Sequence, residues 1–205
     1  MKIIDAFLFI THDHPQLSHS DQVLKALQAG FRWIQLRMKN ADDFLWEKEA
    51  VESMEHCEKQ GGILIINDNI EVAYRVMAHG VHLGKADISP QKARAIMGPD
   101  AIIGRTCNTE ADVLECNDLD INYIGLGPYK PTQTKKNLAP TLGLAGFSIA
   151  QLSHFPVIGI GGIEMDDVSQ LRTGTPLDGI AFSSLLLKSE NWEKTFDQLK
   201  QLWHE

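Results

Sequence analysis

The sequence predicts a single (β/α)8 TIM barrel, and three observations carry that expectation. Eight short β-rich runs alternate with longer amphipathic stretches along the 205-residue chain, the pattern of a parallel sheet with helical crossovers. Most of these runs are continuously apolar, as strands are when helices cover the sheet. No GxGxxG follows the first run, so the fingerprint of an open dinucleotide-binding sheet is missing where it would be read. The chain is short for a closed barrel but inside the lower end of the range, about 200 residues. No Pro/Ser-rich linker or shift in composition divides it, so residues 1–205 read as one domain.

The elements follow in order. The first strand is expected within 3–11, then a helix over 20–30 begun by Ser20 with Asp21 and ended by Gly30. The second strand lies in 31–37, and its long helix over 40–62 is opened by Asn40, Asp42 and Asp43 and closed at Gly61. Strand runs at 62–68 and 80–84 flank a helix at 71–80, with Gly80 as its stop. Ser89 before Pro90 caps the helix at 89–98, which Gly98 ends, and Thr109 before Glu110 caps the one at 109–118. Strands at 101–106, 123–128, 156–162 and 178–184 alternate with helical stretches at 147–155, 165–174 (stopped by Gly174) and 190–205. Small oxygen-bearing residues satisfy free N–H groups at helix starts, and glycine suits the left-handed exit.

Hydrophobic residues make up 43% of the chain and charged residues 22%, ample for a packed core and incompatible with disorder as the main state. Nineteen Lys and Arg against 27 Asp and Glu leave a net charge of −8. Such a surface does not attract nucleic acid or an anionic membrane. The apolar start is broken by Asp5, too short to span a bilayer and unlike a secretory signal. The three cysteines, Cys57, Cys107 and Cys116, form neither a disulfide framework nor zinc-ligand spacing. The expectation is a reduced cytoplasmic protein acting on small molecules, with homo-oligomer formation left open.

A barrel carries its site at the C-terminal strand ends. There the second strand brings Gln35, Arg37 and Lys39 to one side by alternation. The third strand ends in Asn67 and Asp68, and the fourth runs into Lys85 and Asp87. Two carboxylates beside cations suit Mg2+, which takes one or two protein carboxylates and completes its sphere with water and phosphate. Either aspartate taken by itself reads more readily as a helix cap, before Ile70 or before Pro90; their joint placement with Gln35, Arg37 and Lys39 shifts the balance toward a metal. After the sixth strand, Thr132, Thr134, Lys135 and Lys136 offer hydroxyl and ammonium donors to an anion. Gly161 and Gly162 after the seventh strand, with Ser183 and Ser184 after the eighth, sit where barrels bind phosphate. His82 inside the fourth strand reads as a hydrogen-bonded core histidine, and Cys107 as a buried, inert thiol.

Together these segments resemble the thiamine-phosphate synthase family, in order along nearly the whole chain. QLRMK (35–39) resembles its QxRxK segment, INDN (66–69) its IND motif, and GVHLGKAD (80–87) its GVHLGQxD motif. IIGRTCNT is similar to IIGxSxHT, GLGPYKPTQTKK to the GxGPxxxTxTK loop, and PVIGIGGI to PVxAIGGI. The resemblance implies a Mg2+-dependent condensation of a hydroxymethylpyrimidine diphosphate with a thiazole phosphate, giving thiamine phosphate and pyrophosphate. It assigns Gln35, Arg37, Lys39, Asn67 and Thr106 to the pyrimidine diphosphate, and Asp68 and Asp87 to Mg2+. Thr132 and Thr134 go to the thiazole phosphate and Lys135 to the leaving pyrophosphate, making Arg37 and Lys135 the catalytic cations. Gly162, Ser183 and Ser184 cradle the thiazole's phosphate. Lys85, Thr106 and Asn108 stand where the family usually has Gln, Ser and His, and Arg105 is also unusual. The alternatives are a thiazole tautomerase-like paralogue, a non-catalytic binder of phosphorylated thiamine precursors, and a sugar-phosphate epimerase, to which the Thr-x-Thr-Lys loop is foreign.

Overall fold

The computed structural model describes residues 5–39, 41–131 and 139–204. Parallel strands run in chain order around a closed barrel. They are β1 (Phe7–Ile10), β2 (Trp33–Leu36), β3 (Ile63–Asn67), β4 (Gly80–Leu83), β5 (Ile102–Cys107), β6 (Tyr123–Leu126), β7 (Val157–Ile160) and β8 (Gly179–Phe182). The last pairs back onto the first, with Leu8 opposite Ala181, so no sheet edge is left to pair with another chain. The expected TIM barrel is the observed fold.

The first five crossovers contain α1 (His19–Gln28), α2 (Asp43–Gln60), α3 (Ile70–Arg75), α4 (Pro90–Met97) and α5 (Glu110–Cys116). The sixth holds the short α6 (Gly143–Gly146) and a 3-10 turn, Phe147–Leu152, and the seventh a 3-10 turn, Met165–Asp167, that enters α7 (Val168–Gly174). After β8 come α8 (Ser184–Leu187), which the sequence reading did not expect, and α9 (Trp192–His204).

Caps explain most of the boundaries. Ser89 and Thr109 cap as expected, the latter in a reciprocal box with Asp112. The first helix is capped by Ser18 rather than Ser20. Ser20 instead donates its backbone N–H to Glu49 and its hydroxyl to Glu52, tying α1 to α2. Asp42 caps α2, whereas Asn40 lies outside the described residues. Gly80 is no helix stop but the first residue of β4, where an added Cβ would meet the Ile102 carbonyl. Gly174 is the last residue of α7 rather than the residue after it. The third helix ends at Arg75, well before the expected 80, because Met77 takes a left-handed φ of 53°. Ala78 then donates to the Ala73 carbonyl, the closing bond of a Schellman turn built without its usual glycine.

Alternation along the strands produces two buried cores. One parity, including Phe9, Ile34, Leu36, Leu64, Ile66 and Val81, packs outward against the helices. The other fills the barrel: Leu8, Ile10, Trp33, Ile65, Ile102, Tyr123, Ile158 and Ala181. Trp33 and Tyr123 meet edge to face at 4.8 Å and plug the interior. Small residues face these large ones, the large–small fit that the taper of a small barrel requires. A Cβ on Gly104 would lie 2.2 Å from the Tyr123 ring and 2.5 Å from His82 Nδ1. Gly104→Ala is therefore expected to cost about 3 kcal/mol or prevent folding. Urea denaturation checks this; a variant as stable as the parent would show that the interior can give way.

Candidate active site

Above the Trp33–Tyr123 plug the barrel opens into a cavity of about 450 Å3 at the C-terminal strand ends. Its apolar floor comes from Leu8, Ile10, Ile158, Ile160 and Ala181, with Tyr123 beneath. Its rim is polar. Gln35, Arg37, Asn67, Asp68, Asp87, Thr106, Gly162, Ser183 and Ser184 all line this one space. Nine of the sequence-predicted residues thus converge. Lys39 does not: β2 ends at Leu36, and Lys39 is exposed outside the cavity lining. Alternation cannot be extrapolated three residues past a strand end. Thr132, Thr134 and Lys135 lie outside the described residues.

The two aspartates are not helix caps. Asn69 caps α3 and Ser89 caps α4. Asp68 sits at a left-handed φ of 63°, a costly backbone for a residue with a Cβ and one that clusters at functional sites. Its N–H bonds the His82 carbonyl at 2.9 Å. Asp87 turns back so that Oδ2 accepts the Gly84 N–H at 2.6 Å. A Cβ built on Gly84 would lie 3.1 Å from Asp87 Oδ2 and 3.9 Å from Asp68 Oδ1, so both carboxylates face one point. The Asp68 carboxyl is pushed up to about 6 by desolvation first, then by its hydrogen bond to Asp87 and the like charge there, with Arg37 and Asn67 opposing.

Two buried polar atoms in this wall have no hydrogen-bond partner, Arg37 Nη1 and Ser183 Oγ. Unpaired buried donors are rare and costly in native proteins, and both of these residues line the cavity. Burial draws the Arg37 guanidinium down while Asp68 and Asp13 hold it up. Gly161 and Gly162 take φ of 100° and 69°, and a Cβ on Gly162 would fall 2.9 Å from Lys130 Cβ. That turn is glycine-only, and it leaves the backbone open to the cavity.

Below the rim runs a hydrogen-bond chain. Gln35 bonds the Tyr123 hydroxyl, which burial keeps protonated. Tyr123 meets His82 Nδ1 at 2.9 Å, and His82 Nε2 meets Thr106 Oγ1 at 3.0 Å. His82 is buried and bonded as expected, but it also lines the cavity, so it belongs to the site that the sequence reading left it out of. Cys107 is fully buried, its Sγ 3.4 Å from that of Cys116, with its thiol pushed up by that contact and by burial. It is inert, as expected.

The donor set fits Mg2+. Among the described residues no cluster of three or more His, Cys, Asp or Glu offers an all-protein cage. Two carboxylates converging beside cations are what an ion sharing its sphere with a phosphorylated substrate needs.

A closed barrel with two carboxylates and a glycine–serine turn at one mouth has the layout of the TIM-barrel proteins that take phosphorylated ligands there. The profile of the thiamine monophosphate synthase family matches residues 7–186. Thiamine-phosphate synthase of Phocaeicola vulgatus is 40% identical over 189 residues, covering 89% of this chain and 90% of that one. The same-named protein of Bacteroides thetaiotaomicron is 39% identical over 190 residues, covering 89% of this chain and 90% of that one. Among solved structures, thiamine phosphate pyrophosphorylase from Pyrococcus furiosus superimposes with a TM-score of 0.85 at 27% identity, covering 97% of this chain and 96% of that one. The chain belongs to the thiamine monophosphate synthase family.

The crowded carboxylates yield a stability prediction. The folded-state value of Asp68 lies above its ordinary 3.8, so ionising it disfavours the folded state. That cost is absent below about pH 4 and complete once the pH has passed well above 6. Asp68→Asn keeps a side chain that tolerates the left-handed backbone. Without divalent cations it should melt above the parent at pH 8, the gap narrowing as pH falls to 4. Thermal melts that run parallel across this range would contradict the crowding.

Proposed function

We propose that the protein is the transferase that joins a hydroxymethylpyrimidine diphosphate to a thiazole phosphate, releasing pyrophosphate and forming thiamine phosphate. The observation that carries this reading is the convergence of Asp68 and Asp87 over Gly84, beside Arg37 with its open Nη1 and in one cavity with Gly162 and Ser183. The names of its relatives support it: thiamine-phosphate synthase for two and thiamine phosphate pyrophosphorylase for the solved structure. We take residues 1–205 as one catalytic domain and place it in a reducing compartment, the cytoplasm, where the free thiols of Cys57, Cys107 and Cys116 persist. Among the described residues no helix is long and apolar enough to cross a membrane.

In this mechanism the C–O bond from the pyrimidine methylene to the diphosphate breaks, and the diphosphate takes the electron pair. The thiazole nitrogen gives its lone pair to the same carbon. The electron-rich aminopyrimidine ring carries the transient positive charge, so no protein nucleophile is needed. Arg37 meets the negative charge that develops on the leaving group, the point where fixed cations contribute most. Lys135 serves the same end by resemblance, with Thr132 and Thr134 on the thiazole phosphate. Gln35, Asn67 and Thr106 orient the pyrimidine diphosphate. Gly162, Ser183 and Ser184 hold the other phosphate, fixing the nitrogen beside the methylene carbon. The apolar floor keeps water from the electrophilic carbon. Bound between Asp68 and Asp87, Mg2+ would neutralise diphosphate charge.

The direct test is incubation with both precursors and Mg2+, with pyrophosphate release and thiamine phosphate as readouts. Asp87→Asn and Lys135→Ala are expected to lower pyrophosphate release by about a hundredfold or more, with far-UV circular dichroism unchanged. Chelation should abolish release in the parent. A tautomerase-like activity would need no metal and release no pyrophosphate, and a binder would be stabilised by ligand without turnover. Parental rates in both variants would overturn the assignment.

A further inference from the structure

Asp87 stands on a turn beyond the end of β4, and what holds that turn is a cation outside the cavity. The last paired residues of β4 and β5 are Leu83 and Arg105. Past them the ladder stops, and side chains take over. Arg105 Nη1 donates to the Gly84 carbonyl at 2.6 Å. That carbonyl also accepts the Asp87 N–H at 3.2 Å, while the Gly84 N–H donates to Asp87 Oδ2 at 2.6 Å. Both faces of the Gly84 peptide are therefore committed to the turn. One residue on, Lys85 Nζ lies 2.5 Å from Asp112 Oδ2, itself anchored by the Asn108 and Thr109 N–H groups at 2.8 and 2.9 Å.

Such anchoring is physically required. Two carboxylates brought to one point repel, and the turn is the part free to yield. A charge-assisted bond from a guanidinium is stronger than a neutral one, and the group cannot be deprotonated. Arg105 is half-buried and is not part of the cavity wall, and its hydrogen bond to the turn is the one to the Gly84 carbonyl.

We infer that Arg105 is a positioning residue, which holds the Gly84–Asp87 turn so that Asp87 faces Asp68 and the pair is preorganised for a divalent cation. The inference rests on the metal reading proposed above. The probe is Mn2+, followed by its electron paramagnetic resonance signal on titration into the protein at saturating inorganic pyrophosphate. Arg105→Ala is expected to weaken Mn2+ binding about tenfold, the usual scale for residues that orient metal ligands. Arg105→Lys should restore part of the loss, and KM for the thiazole phosphate should not move. Should Arg105→Ala fail to fold, Arg105→Gln, which keeps a donor without charge, carries the same expectation at smaller amplitude. Parental Mn2+ affinity in a folded Arg105→Ala or Arg105→Gln, with Asp87→Asn still losing it, would overturn the clamp and leave the metal reading standing. Parental affinity in Asp68→Asn and Asp87→Asn would overturn both.

Discussion

Closure of the barrel is the constraint on which the remaining structure depends. Once β8 pairs with β1, each strand has one inward and one outward parity, and a single register sets both cores. The same parity that buries Leu8, Trp33, Ile65 and Tyr123 delivers the next inward residues, Ile10, Gln35, Asn67 and Gly125, toward the mouth. A polar residue two positions beyond a core residue thus reaches the cavity without any loop having to place it. The Trp33–Tyr123 plug separates these levels, making a dry floor beneath a charged rim.

The rim concentrates charge against its own repulsion. A protein of net charge −8 places two carboxylates at one point, with Arg37 beside them. The compensation is local: Asp68 accepts a strained backbone, Asp87 caps a glycine N–H, and Arg105 and Lys85 tie the turn to its neighbours. Rigid placement of like charges leaves a deficit that the proposed cation would relieve, so its affinity would arise from that deficit. The unpaired Arg37 Nη1 and Ser183 Oγ would be satisfied in the same way by the anionic groups of the proposed substrates.

The barrel was legible because its signals are periodic and repeated. Apolar runs such as 62–68 and 101–106 match the observed strands to within one residue at each end, and Ser89 and Thr109 start their helices as written. What was not legible depended on tertiary compensation. Met77 occupies a glycine position, so nothing local announces the end of α3. Ser20 looks like a cap, but two glutamates of α2 claim it. In the site, Gln35 was brought to the mouth by alternation, Asn67 by its place at a strand end and Thr106 by resemblance, and each was found in the cavity wall. Lys39, three residues beyond β2, was not. His82 was read as core because it lies inside a strand, and its bonding is indeed internal. Its second role needed Thr106 and Tyr123 brought beside it from other strands. Arg105 could have been flagged as a charge in a strand end, but its partner is a carbonyl, which carries no sequence signal.

Asn108 separates transfer chemistry from proton shuttling at this mouth. Its Nδ2 donates to the Gly127 carbonyl at 2.5 Å, and its N–H bonds Asp112 at 2.8 Å. An amide held in this way carries no titratable proton near neutral pH and cannot act as general acid or base. The histidine usual at this position of the family could; a tautomerase-like relative would rely on it. Meanwhile the tie from Asn108 joins the ends of β5 and β6, and Asp112 links the same loop through Lys85 to the turn carrying Asp87. A substitution that removes a proton carrier has become part of the frame around the carboxylates. At this position the proposed transfer asks only for fixed charge and the placement of reactants, the two demands of displacing a diphosphate from a methylene carbon that an electron-rich ring activates.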